Sequence, residues 1–162
     1  MSYDFFLKID GVDGECTDAK HEKWIELQSY THGVAQQATG VSATGGLPGG
    51  KADFQNLSVT KTVDAATPDL NIKCAEGAPI SKIELECCLA TGEKHTFMKF
   101  TLEKCIITSV SVGGGSGSEL KPTESVTFAY GKIKWEYTPI DADGKAGSAT
   151  DRTWDLMKNE KA

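Results

Sequence analysis

Residues 82–89 read KIELECCL, and this short stretch decides the fold class. Its large apolar side chains stand at every second position: Ile83, Leu85, Cys87 and Leu89. A period of two predicts a β-strand with one buried face, because successive side chains of a strand point to opposite sides. Thr91-Gly92-Glu93 then predicts a turn, so the chain should return beside this strand as a β-hairpin.

The returning segment predicts a second, unusually long strand. Over residues 96–112 the apolar side chains keep one phase: Thr96, Met98, Phe100, Leu102, Ile106, Val110 and Val112. Another long run, 124–137, changes phase across Gly131, with Val126, Phe128 and Tyr130 before it and Ile133, Trp135 and Tyr137 after it. This switch predicts a β-bulge, because one extra residue reverses the facing of every later side chain. Long bent strands of this kind form the corners of small barrels and orthogonal sandwiches.

Alternation over residues 3–9, 22–34 and 53–63 predicts three further strands. One short helix is also predicted, with Thr67 as the N-cap, Pro68 at the first helical position and Gly77 as the stop. A helix of this length needs to dock on a sheet to be stable. The expected architecture is therefore mainly β, in a single domain that covers residues 1–162.

Composition excludes several classes of protein. The 162 residues carry 17 Lys+Arg against 23 Asp+Glu, so the formal net charge is 17 − 23 = −6, with no overall attraction to nucleic acid or an anionic membrane. We expect no membrane insertion, because no apolar run approaches the roughly 20 residues that span a bilayer. The N-terminal residues lack the pattern of a signal peptide. The odd number of cysteines, five, predicts reduced thiols without an obligatory disulfide, with Cys16 in an exposed turn.

The sequence offers no catalytic signature. It contains no G-x-S-x-G motif, and the glycine-rich run 113–118 leads through Pro122 into a strand, whereas a phosphate-binding loop opens a helix. His21, His32 and His95 lack metal-ligand spacing and are predicted to lie on the surface or on a sheet face. We therefore expect no enzyme activity, no cofactor and no metal, and a function that depends on assembly or binding.

Short motifs spread over nearly the whole chain carry a family resemblance. They are 3–9 YDFFLKI with Gly14-Glu15, 29–33 SYTHG with Gln36, the glycine-rich loop ending at Gly50-Lys51, 57–61 LSVTK, Asp64 with Thr67-Pro68 and Leu70, 109–111 SVS, 123–128 TESVTF, and Trp154. In this order and spacing they resemble the Hcp (haemolysin-coregulated protein) family, the tube subunit of bacterial type VI secretion systems.

The resemblance implies a compact β-barrel of two antiparallel sheets with one short flanking α-helix. It further implies a homo-hexameric ring, rings stacked into a tube, and small effector proteins carried and protected in the lumen. The implied partners are a contractile sheath and a VgrG-type spike protein, with no nucleic acid among them. The subunit would be made in the bacterial cytoplasm and secreted into the medium or target cells without a signal peptide. Two alternatives stay open: a secreted ring-forming binding protein that acts on host or target cells, and a phage-tail-like tube subunit.

Two surfaces are candidates for contacts. In the run 22–34, the face that begins with Ile25 and Leu27 continues with Ser29 and Thr31, and a strand passing from the core to a water-filled wall would change in this way. We expect Ser29 and Thr31 to face the lumen and contact effectors; alternatively, they only cap a sheet end near Gly33. In the loop 40–50, the segment Gly45, Gly46, Leu47, Pro48 and Gly49 is predicted to contact an adjacent ring, because Leu47-Pro48 is an exposed apolar tip.

Overall fold

The computed structural model describes residues 2–38, 49–90, 92–117 and 120–162. Within those ranges the chain forms twelve strands and one helix. These are β1 (Tyr3–Ile9), β2 (Ile25–Leu27), β3 (Ser29–Thr31), β4 (Val34–Ala38), β5 (Gly49–Phe54), β6 (Leu57–Thr62), α1 (Thr67–Glu76), β7 (Ile80–Leu89), β8 (Thr96–Gly113), β9 (Thr123–Ala129), β10 (Lys132–Tyr137), β11 (Thr150–Asp155) and β12 (Glu160–Lys161). None of the helical residues described forms a segment long and apolar enough to cross a membrane.

Two antiparallel sheets share the long strand β8. Sheet A has the order β12-β11-β10-β8-β7-β1-β2, and sheet B has the order β3-β6-β9-β8. The first part of β8, up to Cys105, pairs with β7 and β10, whereas the part from Ile106 onward pairs with β9. Side chains from both sheets and from α1 form one hydrophobic core. The predicted class, mainly β with two antiparallel sheets and one helix, is confirmed, although the sheets do not close into a complete barrel.

The prediction that β8 keeps a single phase was wrong. Leu102 points into the core, but the next buried residues are Cys105 and Ile107, so Ile106 faces outward. The reversal occurs at Lys104, which has a left-handed backbone with φ 55°. The N–H of Gly131 donates to the carbonyl oxygens of both Glu103 and Lys104, at 3.0 and 3.1 Å. Lys104 is therefore an extra residue in β8, and it bends the strand where β8 passes from sheet A to sheet B.

Three predicted strands are in fact each divided into two or more strands that belong to different sheets. The predicted run 124–137 is divided at Tyr130 and Gly131 into β9 and β10, and the irregularity opposite this junction belongs to β8. The run 22–34 divides into β2, β3 and the start of β4, and the run 53–63 divides into β5 and β6. The predicted hairpin of β7 and β8 is confirmed, while Thr91 of its turn lies outside the described residues.

The helix has the predicted extent but a different N-cap. Ala66 occupies the cap position, and Asp64 Oδ1 accepts the Ala66 N–H at 3.0 Å. The hydroxyl of Thr67, which was predicted to be the cap, instead accepts the N–H of Asp64 at 3.1 Å. Gly77 ends the helix in a left-handed conformation with φ 62°, as predicted. The buried side chain of Leu70 docks the helix on the core.

The loop between β1 and β2 corrects two further predictions. Cys16 is buried, at 5% exposure, in a small cluster with Phe6 and Cys88, and all five cysteines are free thiols. His21 is also buried, at 2% exposure, and both ring nitrogens have partners, since Nδ1 lies 2.7 Å from Asp18 and Nε2 lies 2.9 Å from Glu86. These contacts hold the loop against the outer face of sheet A, so the folded chain covers this histidine.

Candidate functional site: the hydroxyl face of sheet B

Sheet B has an outward face covered with small hydroxyl side chains. Two rows run across its four strands in register, first Ser29, Thr60, Ser125 and Ser111, then Thr31, Ser58, Thr127 and Ser109. Thr62 and Thr123 form a shorter third row. All ten side chains are exposed or half-buried. We call this surface the hydroxyl face.

The reverse of the same sheet packs into the core. The row between the two hydroxyl rows consists of Tyr30, Val59, Val126 and Val110, and the next row consists of Leu57, Phe128 and Ile107. Alternation along each strand therefore separates apolar from hydroxyl side chains completely over these rows.

The two charged residues of β6 and β9, Lys61 and Glu124, also lie on the core side. They are register partners, have 0% exposed side chains and form an ion pair. Asp64 accepts a second hydrogen bond from Lys61 Nζ at 2.8 Å, and the Thr67 hydroxyl donates to Glu124 Oε1 at 3.1 Å. The charged residues of these two strands are therefore paired inside the protein, and the Ser and Thr side chains of the hydroxyl face carry no charge.

A bulge concentrates hydroxyl groups at the β8 edge of the face. The register of β8 against β9 shifts between Ile107 and Ser109, so Thr108 and Ser109 both reach Thr127. Their hydroxyl oxygens lie 2.6 and 2.7 Å from the Thr127 hydroxyl. Asn56 extends the group by donating from Nδ2 to the Thr108 hydroxyl at 3.4 Å. These mutual hydrogen bonds hold the side chains in fixed positions at the surface.

Chemically, the hydroxyl face can form hydrogen bonds but has no groups for acid-base catalysis. Each Ser or Thr hydroxyl both donates and accepts, so the face can match many partner surfaces without selecting for charge. In the part of the chain that the structure describes, no group of three or more His, Cys, Asp or Glu side chains could hold a metal ion.

The predicted contact residues divide between the described and undescribed parts of the chain. Ser29 and Thr31 lie on the hydroxyl face, whereas Gly45, Gly46, Leu47 and Pro48 lie outside the described residues, and Gly49 begins β5. The eight other hydroxyl residues of the face were missed. Alternating Ser and Thr at 58, 60 and 62, at 109 and 111, and at 123, 125 and 127 gave a usable signal for them.

Strands β4 and β5 form a separate two-stranded hairpin. Within the described ranges they pair only with each other, and every side chain of β4 is exposed. At the base of the hairpin, the ring of Phe54 stacks on Trp135 and Trp154, with both ring centroids at 6.2 Å. The hairpin is therefore attached to the body of the protein through one end.

Comparisons with known proteins agree on one family. The family model described as "Type VI secretion system effector, Hcp" matches residues 6–137. "Protein hcp1" of Pseudomonas aeruginosa is 34% identical over 164 aligned residues, which cover 100% of both chains. A solved structure named "Structure of a type six secretion system protein" has a TM-score of 0.95 and 37% identity, and covers 99% of this chain and 100% of the other. Hcp1 from Salmonella typhimurium has a TM-score of 0.83 and 31% identity over 100% of both chains.

Proposed function

The chain belongs to the Hcp family of type VI secretion proteins, and on that basis we propose that it is the subunit of a hexameric ring. Rings stack into a tube, and the lumen of the tube carries and protects small effector proteins. The hydroxyl face is the observation that carries this proposal. It is an uncharged polar surface on one side of sheet B, and the other side of the sheet packs against the core.

The open edges of sheet B support a head-to-tail ring. Among the described residues, β3 pairs only with β6, and the part of β8 from Ile106 to Gly113 pairs only with β9. Unpaired strand edges favour association with another chain. Because the two edges differ, pairing one edge with the other edge of the next copy gives a heterologous contact, which closes into a ring when the rotation permits. Such a ring aligns the hydroxyl faces around one lumen.

The exposed hairpin of β4 and β5 supports contacts between rings. An isolated two-stranded hairpin is only marginally stable in water, so a structure that projects this way gains from a neighbour. In our proposal the segment Gly45, Gly46, Leu47, Pro48 and Gly49, which leads into β5, contacts the adjacent ring.

The remaining partners follow from family membership. The Hcp family is a family of secreted structural proteins and not of enzymes. We propose that a contractile sheath surrounds the tube, that a VgrG-type spike protein caps it, and that the subunit passes from the bacterial cytoplasm into the medium or a target cell.

A charge at the open edge of β8 tests the ring. Val112 lies near the end of this edge and is 48% exposed, although it shares the core-side phase of Glu124 across the β8–β9 pair. We expect Val112→Lys to stop ring formation while leaving the subunit folded, because an edge interface would bury the new ammonium group, whereas in the free subunit the long side chain reaches water. Native mass spectrometry at micromolar concentration measures the effect as loss of the hexamer in favour of 17.4 kDa subunits.

The matched control is Ile72→Lys on α1, since Ile72 is 53% exposed and lies outside sheet B. This variant should still form hexamers. If the unmodified protein stays a monomer at micromolar concentration, the ring proposal is wrong. If both variants form hexamers, the ring exists but its interface lies elsewhere.

A further inference from the structure

His32 lies where the hairpin of β4 and β5 joins the body of the protein. It follows β3 directly, and Gly33 separates it from β4. The N–H of Gln55, the residue after β5, donates to the Gly33 carbonyl oxygen at 2.9 Å and closes the base of the hairpin. His32 therefore occupies the point about which the hairpin would move.

A chain of hydrogen bonds fixes the protonation of His32. The Trp135 indole N–H donates to Nε2 of His32 at 3.4 Å, so Nε2 must act as an acceptor. The Tyr130 hydroxyl donates its only proton to the Gln55 carbonyl oxygen at 2.8 Å. Its oxygen, 3.2 Å from Nδ1 of His32, is then an acceptor, and the imidazole proton lies on Nδ1. These three hydrogen bonds can all form only when His32 is neutral.

The three side chains that pack against His32 carry no negative charge that could pair with an imidazolium. From β8, His32 meets the ring of Phe100, from β10 the ring of Trp135, and from the β9–β10 junction Tyr130. The titratable groups on these sides are Tyr130 and, behind Phe100, Tyr30, and burial raises the pKa of both phenols. The charged residue opposite Trp135 on β11 is Arg152, a cation that is exposed.

Protonation of the half-buried ring would disrupt this arrangement. It would place an N–H on Nε2, facing the Trp135 N–H, and would leave a charge between aromatic rings. Consistently, burial lowers the pKa of His32, and this effect outweighs the opposing effect of the nearby Gln55 backbone, which raises the pKa. A state in which the hairpin has moved away would expose His32 to water and restore the ordinary pKa, so acid favours that state.

We propose that His32 is an acid-sensitive latch, whose protonation releases the hairpin of β4 and β5 from the aromatic side chains at its base. The latch acts within one subunit and does not depend on ring formation. In an assembled tube, it would loosen contacts made by the hairpin when the tube enters an acidic compartment.

Hydrogen exchange of the hairpin amides tests the latch. Exchange of β4 and β5 is measured at pH 7.5 and pH 5.0, and each rate is corrected for the intrinsic pH dependence of exchange. In the unmodified protein, protection should fall by up to about tenfold for each pH unit below roughly 6.5 until His32 itself is protonated in the closed state. His32→Asn keeps a donor towards Tyr130 but cannot gain a proton, so its protection should not change with pH.

The control variant is His95→Asn, because His95 is paired with Glu93 at 3.2 Å near the surface, away from the hairpin. It should keep the full acid response. Unchanged protection in the unmodified protein, or the same acid response in His32→Asn, overturns the proposal. If His32→Asn does not fold, a ring NMR titration of the unmodified protein decides the matter, since a His32 that titrates without any change in the hairpin amides contradicts the latch.

Discussion

The two faces of sheet B are built from the same four strands but differ in their side chains and in what those side chains contact. On the core face, valines pack beside one buried ion pair, and each side chain depends on a partner in another strand or in α1. On the hydroxyl face, small side chains are exposed or half-buried and can form hydrogen bonds with water as well as with one another. The comparison indicates that the core face determines stability, while the hydroxyl face is available for binding.

The largest expected effect is on the core face, at the buried ion pair. Lys61→Met removes the only cation in contact with Glu124 and Asp64 among the described residues. Glu124 would then be a buried, uncompensated carboxylate, so we expect a loss of about 3–5 kcal/mol in the free energy of unfolding. Urea denaturation at a fixed protein concentration measures it.

The double variant Lys61→Met with Glu124→Leu is the control. Replacing a buried ion pair by apolar side chains of similar volume is often nearly neutral, so much of the lost stability should return. If the single variant costs less than about 1 kcal/mol, the pair is not as isolated from water as the structure indicates.

A smaller effect should distinguish two neighbouring residues of β6. Val59 is buried and Thr60 belongs to the hydroxyl face, so Val59→Thr and Thr60→Val exchange the same two side chains on opposite faces. Val59→Thr should cost about 1–3 kcal/mol, because it buries a hydroxyl among apolar side chains. Thr60→Val should change the stability by less than about 0.5 kcal/mol. Equal costs in urea denaturation would contradict the division between the faces.

The local alternation of apolar and polar side chains was sufficient to predict strands such as β7 and their buried faces. Ile83 and Leu85 were placed in the core, and the class of fold followed from such strands. It did not reveal the corner at Lys104, because a left-handed backbone is usually marked by glycine and here the residue is a lysine.

Residues paired over long distances were also missed. His21 is buried by Glu86, which is 65 positions away, and Lys61 is buried by Glu124, 63 positions away. A local pattern cannot contain such contacts, because they depend on the register between strands. The hydroxyl face was found only in part for the same reason: Ser29 and Thr31 were visible, but their rows are formed by three other strands.

The smallest effect on stability, and the most specific on function, is expected at Thr31. Thr31→Gln adds bulk to an exposed position of the hydroxyl face while keeping it polar, so the subunit should fold, form hexamers and be secreted normally. If the face lines the lumen, the longer side chains would crowd a bound effector, and the level of that effector in the producing cell should fall. Thr150→Gln, an exposed position on β11 of sheet A, is the matched control and should leave the effector level unchanged. Normal effector levels beside normal hexamers would separate the hydroxyl face from cargo binding, whereas loss of hexamers would assign Thr31 to the contact between subunits.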